Sequence, residues 1–196
     1  MTDDTTGAQG LLEEERQFLR DVALLAVETA VRGRPALDPA DLDSLASEAG
    51  IDLEPRLNSH RGAFVTLTTA GRLRGCIGYI EGIKPLIGAV ADNGRSAAIG
   101  DPRFAPVTPG ELPDIQIEVS ALTPMKPVPG PEEIVIGRHG VVLVKGGRRA
   151  VFLPQVAPEQ GWDRDTTLTH LAIKAGLEPD AWRQGTEFLV FEADVF

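Results

Sequence analysis

The sequence predicts an α+β fold built from antiparallel hairpins with flanking helices. Three observations carry this. Two pairs of short strand-like segments are each joined by a tight turn, at Thr69–Arg72 and at Gly146-Gly147. The strands cluster, rather than alternating singly with helices as βαβ units do. Apolar stripes at helical spacing lie outside those pairs.

Residues 1–9 are polar and are expected to form a disordered tail. A helix follows over 11–32: Leu11, Phe18, Val22 and Leu25 share a face, flanked by Leu19, Ala23, Ala26 and Ala30. Glu13, Glu14 and Glu15 suit its positive N-terminal end, and Gly33 ends it. Asp38-Pro39 reads as an N-cap and first-turn proline for a short helix with Leu42 and Leu45 inward. Ala63–Thr68 alternates as a strand and pairs with the stretch Arg72-Leu73-Arg74-Gly75-Cys76-Ile77-Gly78-Tyr79-Ile80. Pro85 opens a slim, alanine- and glycine-rich helix that stops at Gly100, and Ile115–Leu122 is a third strand.

Four prolines between Thr123 and Pro131 mark a crossing between lobes. Val141–Lys145 and Arg148–Leu153 form the second hairpin, and Gln155–Asp165 reads as a polar loop carrying Trp162. A helix over 166–175, a helical turn at Pro179–Trp182 and a strand Glu187–Phe191 complete the chain. The expected lobes are 34–125, around Cys76, and 10–33 plus 126–196.

The 196 residues carry a net charge of −10. Residues 1–60 hold 13 Asp+Glu against 5 Lys+Arg, so the acidity is concentrated there. No basic footprint for non-specific nucleic-acid binding is evident. The N-terminus lacks the basic start of a signal peptide, no run has the length of a membrane span, and the location expected is cytoplasmic. One cysteine and three scattered histidines give no metal-ligand spacing, so neither a structural metal nor a cofactor is expected. The glycines fit no phosphate-loop or dinucleotide pattern.

The Cys76 stretch breaks strand rules, with glycines on both sides of the lone thiol. Strand parity puts Arg74 on the face of Cys76, where a guanidinium favours thiolate; a bulge at Gly75 would break that parity. As a nucleophile Cys76 needs a base, and His139 and His60 are the candidates. Asp101 and Arg103 could form a site pair, or simply a turn cap and an ion pair. Glu118 could be a general base, or part of a solvated strand face. Gln155, Glu159, Gln160 and Trp162 could shape a recognition loop. Cys76 itself could be no more than a small buried hydrophobe.

Six ordered blocks carry a resemblance. They include Leu73-Arg74-Gly75-Cys76-Ile77-Gly78, Asp101-Pro102-Arg103-Phe104, Glu111-Leu112-Pro113 with Val119–Pro124, Ile136-Gly137-Arg138-His139-Gly140, and Phe152–Asp163. Together they resemble the AMME chromosomal region protein family, and within it the prokaryotic branch called AmmeMemoRadiSam system protein A. The resemblance covers residues 10–196. It implies two interleaved α+β lobes, with a cleft near the Cys76 block to which Gly75 and Gly78 contribute. It also implies association with a Memo-like protein and a radical S-adenosylmethionine (SAM) enzyme, and no settled reaction. One departure is Asp92-Asn93-Gly94-Arg95-Ser96, where the family pattern implies a more alanine-rich helix.

Three functions follow as expectations. The first is a partner protein acting through the cleft around Cys76. The second is a thiol-dependent enzyme with Cys76 as nucleophile or redox thiol. The third is an RNA-associated factor, against which the charge argues.

Overall fold

The computed structural model describes residues 10–196, so the tail expected at 1–9 lies outside the described residues. The fold is α+β, with two four-stranded antiparallel sheets in two interleaved units. The first unit runs to Leu122 and takes back Asp194–Phe196; the second is Thr123–Ala193.

In the first unit, helix α1 (Glu13–Val31) and helix α2 (Pro39–Ala49) precede the hairpin β1 (Ala63–Thr69) and β2 (Arg72–Tyr79). Helix α3 (Leu86–Ile99), strand β3 (Ile115–Leu122) and strand β8 (Ala193–Val195) complete it, in sheet order β2-β1-β3-β8. Glu15 begins α1 by accepting from Leu12 N at 2.7 Å, and Arg56 binds the same carboxylate at 2.7 and 2.8 Å. Asp38 caps α2 and Asp41 answers it in a capping box, as the Asp-Pro signal predicts.

Helices α1 and α3 pack on one face of the sheet. Their stripes bury Leu19, Val27, Ala89 and Val90 against Ala63, Val65 and Leu67, all fully buried. Helix α1 therefore belongs with the Cys76 sheet, not with 126–196 as the sequence lobes have it. The reason is packing: Gly94 of α3 lets the helices approach, since a Cβ there would sit 3.0 Å from Ala23 O. Asn93 Nδ2 donates to Ala63 O at 3.0 Å, tying α3 to β1 through the segment that departs from the family pattern.

In the second unit, β4 (Lys126–Val128), β5 (Gly140–Lys145), β6 (Arg148–Phe152) and β7 (Glu187–Phe191) form a sheet in order β4-β7-β5-β6. Helices α4 (Val156–Gln160) and α5 (Arg164–Lys174) accompany it. Leu168, Leu171 and Ala172 of α5 pack with Leu143, Trp182 and Phe188. The β5–β6 turn is Gly146-Gly147, both at positive φ (57° and 76°), the geometry of a two-residue hairpin loop. Two elements differ from the sequence reading. The proline-rich crossing contains β4, paired with β7, and the expected polar loop contains α4.

Candidate functional site on the Cys76 strand

The hairpin that carries Cys76 is set by its turn and by one irregularity. Ala70 and Gly71 both have positive φ, 49° and 73°, so Thr69 pairs with Arg72 and Thr68 with Leu73. The register then shifts between Leu67 and Thr68: Leu67 pairs with Gly75 and Thr66 with Cys76. Arg74 is the extra residue of a β-bulge.

This bulge corrects the parity argument. Leu73, not Arg74, falls in line with Thr68 on the Cys76 face. Arg74 instead donates to Glu111 at 2.7 and 3.3 Å and to the carbonyls of Ala105 and Pro106 at 2.9 and 3.3 Å. It pins the 105–111 loop and is not a thiol activator. In return, the Arg74 guanidinium, aided by Thr108, draws Glu111 down to a pKa of about 2.

The guanidinium beside Cys76 is that of Arg103. Asp101 is buried, and its carboxylate accepts from Arg103 Nε at 3.0 Å and Nη2 at 2.7 Å. The same carboxylate accepts from Cys76 N at 2.9 Å, while Arg103 Nη2 also donates to Cys76 O at 3.2 Å. Strand β2 lies at the edge of its sheet, so Cys76 N and O have no strand partner on that side. The Asp101–Arg103 pair supplies both bonds that a neighbouring strand would make. The Arg103 guanidinium, reinforced by the Cys76 and Arg103 backbone N–H groups, holds the Asp101 carboxyl far below the ordinary carboxylate range. Asp101 in turn holds Arg103 above its usual value, with a smaller contribution from the Cys76 sulfur. The turn cap and the ion pair read from sequence are thus both present in this one pair.

The glycines have separate jobs. A Cβ on Gly75 would lie 2.2 Å from Ala97 O, so Gly75 is where β2 approaches α3. A Cβ on Gly78 would meet the Phe64 ring at 2.3 Å, so Phe64 lies across Gly78 on the Cys76 face.

That face, turned away from α1 and α3, carries Cys76, Thr66 and Glu118 in one cross-strand row. Thr66 Oγ1 lies 3.3 Å from Cys76 Sγ, and Cys76 is half-buried rather than enclosed. Glu118 is exposed two strands away, roughly 10 Å at ordinary strand spacing, so it is not a base in contact with the thiol. Thr66 and Phe64 were not singled out by sequence. Only the bulge places Thr66 opposite Cys76; a regular hairpin from the same turn would put it opposite Gly75.

His139, Gln155 and Trp162 belong to the second unit. His139 Nδ1 accepts from Val135 N at 3.2 Å, closing a turn before β5. Gln155 is exposed at the start of α4. Trp162 is half-buried and stacks on His170, centroids 4.1 Å apart and planes within 9°. It also meets Phe152 at 5.9 Å. Trp162 is thus one member of an aromatic cluster, midway between the exposed anchor and the core residue that sequence allows. His60 is exposed beside Pro85. Among the described residues no group of three or more His, Cys, Asp or Glu is placed to hold a metal ion, and no helix is long and apolar enough to cross a membrane.

Comparison with known proteins gives a consistent picture. The chain is 42% identical to a protein of Methanothermobacter thermautotrophicus over 193 residues, 95% of each chain. It is 41% identical to one of Methanosarcina acetivorans over 191 residues, covering 95% of this chain and 92% of that one. The crystal structure of an uncharacterised protein from Pyrococcus horikoshii superposes with a TM-score of 0.75 at 34% identity, covering 92% of this chain and 89% of that one. The profile of the AMMECR1 family matches residues 21–196, and the chain belongs to that family.

Proposed function

We propose that this AMMECR1-family protein is a cytoplasmic component of the AmmeMemoRadiSam type, acting with a Memo-like protein and a radical SAM enzyme through the face of the first sheet that carries Cys76. The observation that supports this reading is the Asp101–Arg103 pair. It fixes the backbone of an accessible cysteine from both sides without placing a general base against the sulfur. A rigid, half-exposed surface suits recognition, whereas a free-standing thiol enzyme would need a proton acceptor at Sγ. The Thr66 hydroxyl hydrogen-bonds Sγ at 3.3 Å, and a hydroxyl is not a general base.

The test is co-elution. The purified protein is mixed with the Memo-like and radical SAM proteins encoded in the same genome and run on a sizing column. A complex with at least one is expected, and Glu118→Lys, an exposed charge reversal on the same face, weakens it. Separate elution of all three proteins contradicts the reading.

One piece of geometry favours a second reading, a reactive thiol: Arg103 Nη2 donates to Cys76 O at 3.2 Å, which holds a guanidinium beside the cysteine. Under it, iodoacetamide labels the native protein faster than it labels a free cysteine at the same pH, and Arg103→Ala slows the labelling. A rate identical in the variant removes this reading.

A further inference from the structure

Away from Cys76, the first unit contains a cavity of about 240 Å³ between α2, α3 and the chain at 58 and 84–85. Its inner wall is apolar, formed by Leu37, Leu42 and Ile87. We infer that this cavity is a binding site for a small organic ammonium: an apolar body about one ring in size, with a protonated amine directed at Asp43.

Size sets the first limit. A dry apolar cavity of roughly 150 Å³ accommodates benzene. The volume here suits a single ring with a short chain and lies below the roughly 300 Å³ at which drug-sized pockets begin. The walls are held in place. Leu86 N donates to Ser59 O at 3.0 Å and Ile87 N to Leu57 O at 3.1 Å, fixing α3 against the preceding loop. The capping box of Asp38 and Asp41 fixes the start of α2. Gly88 keeps the space open: a Cβ there would find only Lys84 Cδ, at 3.7 Å.

The polar groups decide the ligand's charge. Lys84 is ion-paired with Asp92, so the pair is neutral to an incoming molecule. Asn58 Nδ2 donates to Glu54 Oε1 at 2.8 Å, which leaves the acceptor oxygen of its amide uncommitted. Asp43 is exposed at the wall and makes no hydrogen bond or ion pair among the described residues. The unmatched charge is the Asp43 carboxylate, beside an Asn58 amide that still offers its oxygen and one N–H, and an ammonium supplies donors and charge together. Residues 1–60, which supply Leu37, Leu42, Asp43 and Asn58 to the wall, carry 13 Asp+Glu against 5 Lys+Arg, a charge balance that further disfavours an anion.

The test uses three probes of one shape, 2-phenylethylammonium, 2-phenylethanol and 3-phenylpropionate, titrated into the full chain with amide chemical shifts as readout. The ammonium is expected to bind most tightly and the carboxylate least, with shifts centred on Leu42, Ile87 and Gly88. Asp43→Asn is expected to reduce ammonium affinity about fivefold, the scale of an exposed ion pair, while leaving the alcohol unchanged. Gly88→Leu fills the cavity and is expected to abolish binding of all three, its folding checked by circular dichroism. Absence of binding by every probe, a carboxylate that binds as well as the ammonium, or binding that survives Gly88→Leu overturns the proposal. None of these outcomes bears on the Cys76 reading, because no residue is shared.

Discussion

At the scale of single residues, Cys76 is defined by what holds its backbone. Gly75 sits under Ala97 O with no room for a methyl group, so Gly75→Ala must push β2 and α3 apart. A loss of about 3 kcal/mol is expected from urea denaturation, at the upper end for overpacking. Asp101 and Glu111 make a second, pH-linked contribution. Both carboxyls are depressed in the folded protein, Glu111 from 4.5 to about 2 and Asp101 further. The unfolded chain therefore binds protons more readily than the folded one at acidic pH. Their stabilisation is complete above about pH 5 and is lost as pH falls through the folded values. Denaturation midpoints measured from pH 6 down to 3 should decline, and Asp101→Asn should be less stable at pH 7 by about 2 kcal/mol with a shallower decline. An Asp101→Asn slope equal to wild type contradicts the assignment. From sequence, Arg74 is the guanidinium beside the thiol; in the structure that position belongs to Arg103. Parity was the right tool, and the bulge at Arg74 defeated it. A bulge leaves little trace in one sequence beyond a glycine, and the glycine lies next to the extra residue.

At the scale of elements, the hairpins and every helix except the five-residue α4 were legible because their signals are local: Asp-Pro before α2, Pro85 before α3, Gly146-Gly147 in the second hairpin. Strands β4 and β8, of three residues each, were not, because pairing rather than composition makes them strands. Two substitutions test this level. Ala70 holds φ of 49° in the Cys76 hairpin turn, a strained value for alanine. Ala70→Asn should stabilise the protein by up to about 1 kcal/mol, since asparagine and glycine favour that turn. Gly88 lies inside α3 with room for a Cβ, and Gly88→Ala should also add about 1 kcal/mol through helix propensity. A fall in melting temperature for either one contradicts the local account.

At the scale of the whole molecule, the chain order alone hid where the ends belong. Helix α1 packs by its stripe onto α3, and the last residues return to β3, where Val119 and Phe196 exchange both backbone hydrogen bonds at 2.7 and 3.0 Å. Arg16 reaches Asp194 at 3.1 Å and Arg20 lies over the Phe196 ring at 5.6 Å. Removing Asp194–Phe196 is expected to cost about 3 kcal/mol and to lower the melting temperature by several degrees. Such long-range closure depends on contacts between residues far apart in sequence, which periodicity does not report.

The central claim is that the Cys76 face is the working surface through which the protein meets its partners. The most direct measurement is the rate of Cys76 alkylation in the native protein, alone and with the Memo-like and radical SAM proteins added. The account predicts that the half-buried thiol labels without denaturant and that at least one partner slows labelling several-fold. A thiol that labels only after unfolding, or at a rate neither partner changes, contradicts it.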